Sequence, residues 1–214
     1  MKKTAPAKYY SPLEEKINIV SHKLGILLSL IALVLLTWRA LEIGTARHII
    51  SFTIFGLTLL SLYTASTIYH SSQNAGRRAH LRVFDHASIY ALIAGTYTPY
   101  SLVTLQGKIG WVIFGLAWGL ALIGISLKIF FTGRFKIIST IMYIGMGWII
   151  IFALKPLLNN LSAPGVFWLF AGGVSYTLGG ILYGIKPLPL NHGLFHILVV
   201  VGSLCHFISI FLYV

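Results

Sequence analysis

Seven long apolar stretches follow one another along this chain, at about residues 17–38, 49–70, 86–105, 109–128, 137–155, 165–185 and 192–213. Each is near the roughly 20 residues a helix needs to cross the hydrocarbon core of a bilayer. Only helices fit, because the strands of a membrane barrel would show short alternating segments. Charged residues make up 9% of the chain, against roughly 25% in soluble globular chains. A soluble domain has to cover its surface with polar groups, whereas lipid solvates an apolar one. The expectation is an all-α polytopic membrane protein of seven transmembrane helices in one bundle. Residues 1–16 form a polar cytoplasmic N-terminal segment, and 17–214 the transmembrane domain. The polar start MKKTAPAKYYSPLEEK precedes an apolar run long enough to span, so that run reads as a mature first helix and not as a cleavable signal.

The charge balance sets an orientation. Sixteen Lys and Arg stand against four acids. The basic residues lie in the connections between apolar stretches, where topology and anionic lipid headgroups explain them better than nucleic acid does. With the N-terminus cytoplasmic, Lys2, Lys3, Lys8, Lys16, Lys23, Arg77, Arg78, Arg82, Lys128, Arg134, Lys136 and Lys186 are inside. Arg39, Arg47, Lys108 and Lys155 are outside, a clear positive-inside bias. Seven spans then put the C-terminus on the outer side of the cell membrane, with membrane lipids as the surrounding partner. Cys205 is the single cysteine, so an intramolecular disulfide is impossible, and a thiol in mid-membrane reads as packing. Gly115 with Gly119, and Ala171 with Ser175 and Gly179, have the spacing that lets helices approach closely in lipid. Around Pro99 the third span should kink, with Tyr97 and Tyr100 supplying an aromatic belt residue.

Ionisable groups inside spans are costly and therefore informative. His70 ends the second span, Asp85 opens the third, and His192 and His196 open the seventh. The expected topology puts all four at the cytoplasmic ends of their helices, in one layer. His192 and His196, four apart, project from one helix face. Asn191 before them is placed to cap the helix, after Pro187 and Pro189 have stopped the preceding chain. Two histidines at this spacing plus a third from another helix form a catalytic-type zinc arrangement that leaves a fourth position for water. Zinc lowers the pKa of such a water toward about 7, making hydroxide available to attack a carbonyl. Asp85 would then bond that water, and Ser66, one turn before His70, could bond a ligand or a developing oxyanion.

The same residues have a plainer reading. Histidines at helix ends often face headgroups or cap carbonyls, and Asp85 could be an anion held by a helix dipole. Glu14, Glu15, Asn18, Ser21 and His22 read first as an interfacial amphipathic turn, with a role beside the site for Asn18 and His22 as the sharper alternative. His80 reads as solvated and His48 lies on the outer side. His86 points about 100° away from Asp85 and so away from the site. His206 is about 15 Å deeper than His196 at 1.5 Å per residue, too far to share an ion, and its burial calls for a polar partner. The residues by themselves leave both readings open.

Taken together, these positions resemble the hemolysin III branch of the progestin and adipoQ receptor family, the group that includes the adiponectin receptors. The resemblance rests on S-x-x-x-H from Ser66 to His70, on Asp85, and on H-x-x-x-H from His192 to His196. It rests also on the spacing of Glu14, Asn18 and His22, on a GxxYxxGGxxYG-like stretch between Gly172 and Gly184, and on the K-P-x-P that follows. The resemblance implies seven helices with a cytoplasmic N-terminus and a zinc ion held by His70, His192 and His196. Asp85 then matches the family's aspartate beside the metal's water, and Ser66 its serine. It further implies ceramidase-like hydrolysis of an amide or ester in a lipid-like substrate, linked to membrane lipid homeostasis. A non-enzymatic sensor with structural zinc and a pore-forming cytolysin are the alternatives; no span carries the polar stripe a water-filled pore requires. The long N-terminal extension of the adiponectin receptors is not matched, so no extra regulatory segment is expected.

Overall fold

A computed structural model describes residues 8–132, 136–185 and 188–214. Lys2, Lys3, Arg134, Lys186 and Pro187, and the side chain of Lys136, lie outside the described residues. The described chain is helical almost throughout: α1 (Pro12–Ile43), α2 (Ala46–Ser71), α3 (Ala75–Pro99), a π-helical turn (Tyr100–Leu105), α4 (Gly107–Phe131), α5 (Lys136–Gly147), a 3-10 turn (Ile149–Ala153), α6 (Leu154–Asn160), α7 (Ala163–Gly184) and α8 (Asn191–Tyr213). The π turn prolongs α3, and α5, the 3-10 turn and α6 follow one another as one rod, so seven rods result among the described residues. Six are long and apolar enough to cross a membrane, which makes this a multi-pass membrane protein. The α3 rod is not among them; its first half carries Arg77, Arg78, Arg82 and Asp85.

Local chemistry sets the helix ends. Ser11 Oγ accepts from the Glu14 N–H, with Pro12 in the first turn, and Gly44 ends α1 in the left-handed region. Thr45 caps α2 by accepting from His48 N–H, and Asn74 Oδ1 caps α3 by accepting from Arg77 N–H at 2.9 Å.

The core is largely apolar, and so is the outer surface. The inward face of α1 runs Glu14, Asn18, His22, Gly25, Ser29, Ala32, Leu36 and Ala40, at steps of three and four that keep one face on the core. It begins polar and ends apolar. Large apolar side chains such as Val34, Phe130, Ile137 and Phe152 stay exposed, as a surface facing lipid requires. Neighbours close a ring: α1 packs on α2 and α8, α2 on α3, α3 on α4 and α5, and α7 on both α5 and α8.

Of the two small-residue patterns, one works as expected. Ser175 Oγ donates to Leu198 O at 2.8 Å, and a Cβ on Gly179 would meet Leu198 and Phe195 at 3.3 Å, so this stripe is the α7–α8 seam. Gly115 and Gly119 face open space instead. The close approaches of α4 are made at Gly110, where a Cβ would lie 2.2 Å from Ser101 O, and at Gly124, where it would lie 2.3 Å from Tyr90 Cε1, because the inward face of α4 runs through Gly110, Ile113, Ala117, Ala121 and Gly124.

Pro99 does disturb α3. Proline offers no N–H and crowds the preceding turn, and the rod widens into the π turn before ending at Gln106 and Gly107, both with positive φ. Tyr97 and Tyr100 are buried and belong to no interfacial belt. The reason for Tyr97 is the break in the next rod: its Oη donates to Gly147 O at 2.8 Å and accepts from Ile150 N–H at 3.0 Å. In lipid such freed backbone groups must find a partner inside the protein.

Candidate metal centre

At one end of the bundle α1 begins, α2 ends, and α3 and α8 begin. Lys8, Lys16, Lys23, Arg77, Arg78, Arg82 and Lys128 belong to the same end by their positions on these helices. His70, His192 and His196 come together there, all buried, with one ring nitrogen of each lying within 4.8 Å of the others. His192 Nε2 is 3.2 Å from His70 Nε2 and 3.1 Å from His196 Nε2.

The cluster fits a metal ion on its own chemistry. Bonds of 2.0–2.1 Å at tetrahedral angles separate ligand nitrogens by roughly 3.3 Å, close to the two observed distances. A neutral imidazole has one nitrogen with a lone pair and one with a proton, and the surroundings decide which is which. At His70, Nδ1 donates to Glu15 Oε2 at 2.6 Å, leaving the Nε2 lone pair turned to the other rings. Glu15 is in turn held by Arg78, which pairs with its Oε1 and also donates to the carbonyls of Lys8, Tyr69, His70 and Ser72. Asn18 Nδ2 lies 3.4 Å from His70 Nδ1. Outer partners of this kind orient metal-binding imidazoles.

The rings of α8 are fixed by stacking. Tyr10 lies parallel to His192 with centroids 4.4 Å apart, and His22 lies on His196 at 3.8 Å. Gly193, next to His192, lets α8 approach α1 here: a Cβ would stand 2.9 Å from Ile17 Cγ2. Asn191 does not cap α8. Leu190 holds the cap position in a left-handed conformation, and Asn191 Nδ2 donates to Ile185 O and Tyr183 O. The free donor at His192 N is taken by Glu14 Oε1 at 3.0 Å, so a carboxylate from α1 does the capping.

Asp85 is buried and lines, with His192 and His196, the head of a cavity of about 150 Å³ that runs into the bundle. Ser66 is buried within reach of Asp85, and among the described residues no other atom engages its Oγ. His86 also lines the cavity, its Nε2 3.8 Å from Asp85 Oδ2, so the turn of the helix does not carry it out of the region. His80 stays exposed, bonded to Gly76 O, and His48 sits at the far end against Val214 O. Cys205 is a buried free thiol.

Asn18 and His22 therefore do stand beside the histidine cluster, and Glu14 and Glu15 are tied into it as well. The contribution of Tyr10, Glu15 and Arg78 had no sequence signal beyond the spacing of Glu14, Asn18 and His22; Arg78 reads from sequence only as one of a run of topological charges.

A family model described as haemolysin-III related matches residues 10–207, a range that takes in Tyr10, the three histidines, Asp85 and Ser66. The chain is 43% identical over 201 residues to Hemolysin-3 of Bacillus cereus, covering 94% of this chain and 92% of that protein. It is 44% identical over 200 residues to the Hemolysin-3 homolog of Bacillus subtilis (strain 168), covering 94% of each. A weaker similarity, 25% over 172 residues, extends to the monocyte to macrophage differentiation factor of Rattus norvegicus, covering 75% of this chain and 68% of that one. No solved structure matches. With a match that runs nearly end to end, the chain belongs to the haemolysin-III related family.

Proposed function

We propose that this protein is a zinc-dependent hydrolase of the cell membrane, cleaving an amide or ester bond in a lipid-like substrate. It spans the membrane seven times, with the N-terminus cytoplasmic and the C-terminus outside. The observation that carries this reading is the meeting of three imidazoles beside an apolar-lined cavity, whose lining includes His192, His196 and Asp85. The seventh span is the α3 rod, whose polar half lies at the histidine end among the other helices. The basic residues at that end support its cytoplasmic placement.

His70, His192 and His196 would hold the ion, and Glu15 keeps the His70 proton on Nδ1. Zinc bound there supplies a Lewis acid and a water acidic enough to act near neutral pH. Asp85 orients the attacking water and accepts its proton. Ser66 Oγ, which bonds Asp85, would turn its proton to the oxygen on which charge develops once Asp85 has taken the proton of the water. The apolar lining takes the hydrocarbon part of the substrate, which enters sideways from the bilayer.

A second reading has its own support. Tyr10, Glu14 and Glu15 tie the start of α1 to the histidines of α2 and α8, and an ion there would pin three rods without turnover. One experiment separates the two: metal content of purified protein together with lipid composition of cells carrying wild type or His192→Ala. Loss of stoichiometric zinc with accumulation of one lipid class supports the hydrolase. Loss of zinc, a lowered melting temperature and unchanged lipids support the structural ion. Wild-type protein without stoichiometric zinc sinks both.

A further inference from the structure

The cavity that begins at the histidine cluster also reaches His206, Tyr100, Tyr176 and Trp148. His206 lies ten residues beyond His196 on α8, about 15 Å along the helix. This is deep in the bundle, where a polar side chain is costly unless it is bonded.

Most polar groups around this inner end spend their bonding capacity on one another. Tyr63 Oη donates to Ser203 Oγ at 2.7 Å, and Tyr176 Oη pairs with the same Ser203 Oγ at 2.8 Å. Thr177 Oγ1 donates to Gly173 O and accepts from Trp148 Nε1. Tyr97 is used up on the broken rod. One group is left over. Tyr100 Oη is within reach of Ser209, whereas His206 Nδ1 has no hydrogen-bond partner among the described residues, on a residue only 5% exposed. Nor is the position of His206 an accident of loose packing. Its ring fits against α7 only because residue 172 is glycine, since a Cβ there would stand 2.6 Å from His206 Nε2.

We infer that this inner end of the cavity is a second recognition site, built to hydrogen-bond an oxygen carried partway along the hydrocarbon chain of the ligand. The ligand class is a long-chain lipid with a hydroxyl or keto group about 15 Å from the group placed at the histidines. An extended chain advances about 1.2 Å per bond, so that oxygen belongs about twelve bonds along. Neutral His206 can accept from a hydroxyl or donate to a carbonyl. The inference rests on the lipid-like ligand proposed above and specifies what distinguishes it from a plain acyl chain. A site built around an unpaired polar group discriminates against an analogue that lacks the matching group.

The test is binding by the full-length protein in detergent micelles, measured by displacement of one fluorescent fatty acid. Stearic acid, 12-hydroxystearic acid and 3-hydroxystearic acid are the competitors. The expected result is that the 12-hydroxy acid binds about tenfold more tightly than stearic acid, as one added hydrogen bond allows, with no gain for the 3-hydroxy isomer. His206→Leu should bring the ratio to one while metal content stays at the wild-type level. His206→Gln, which keeps a donor and an acceptor, should retain most of the preference. Equal affinities for the three acids in wild type, a preference that survives His206→Leu, or no displacement by any of them would overturn the inference. Absence of zinc in the wild-type protein would overturn the hydrolase reading and leave these ratios untouched, so the two failures are distinguishable.

Discussion

Replacing Glu15 by Gln is the sharpest probe of how the histidine cluster is held. Glu15 accepts from three donors: His70 Nδ1 at 2.6 Å, Tyr10 N–H at 3.2 Å and the Arg78 guanidinium. A glutamine has one oxygen and one NH2 where the carboxylate has two acceptors. If the oxygen stays with Arg78 and Tyr10, the NH2 faces His70 Nδ1 and favours the tautomer protonated at Nε2. That proton would then point into the meeting place of the three rings. If the oxygen goes to His70, the Arg78 guanidinium, 1% exposed, loses its carboxylate and faces a donor. Loss of an outer partner of a metal-binding imidazole lowers metal affinity about 10–100-fold, equivalent to about 1.4–2.7 kcal/mol, and a charged hydrogen bond of about 1.5–3 kcal/mol covers that range. Chelator competition on wild type and Glu15→Gln should therefore give a Kd for zinc raised by one to two orders of magnitude. A correctly folded Glu15→Gln protein with wild-type zinc affinity would refute the claim that Glu15 sets the His70 tautomer.

Other outcomes follow from the packing. Tyr97→Phe leaves Gly147 O and Ile150 N–H without their partner in the membrane interior, at about 1–3 kcal/mol for each group left unsatisfied; a lowered melting temperature with unchanged metal content is expected. Gly110→Ala drives a Cβ against Ser101 O and should destabilise by about 1–3 kcal/mol. Gly115→Ala meets nothing and should be neutral or stabilising by up to about 1 kcal/mol through helix propensity. The two alanine variants compared in one thermal melt series check whether α4 packs through Gly110 and not through Gly115.

The apolar stretches by themselves determined that this chain is a helical membrane protein, because a bilayer core admits so few backbone solutions. Regular spacing also put His192 with His196, and Ser66 with His70, on shared helix faces, since a helix fixes its own periodicity whatever surrounds it. Spacing along one helix says nothing about which way that helix is turned in the bundle. Rotation is set by side-chain packing between rods, and that decided what the sequence left open. It turned Gly115 and Gly119 outward and Gly110 inward, drew Tyr97 into a break in a rod distant in sequence, and gave the capping of α8 to Glu14 instead of Asn191. It also decided the histidine cluster itself. Three rings from the end of α2 and the start of α8 meet, and Tyr10, Glu15 and Arg78, from two further parts of the chain, close around them. Those contacts depend on separations of more than fifty residues, and no local pattern encodes them.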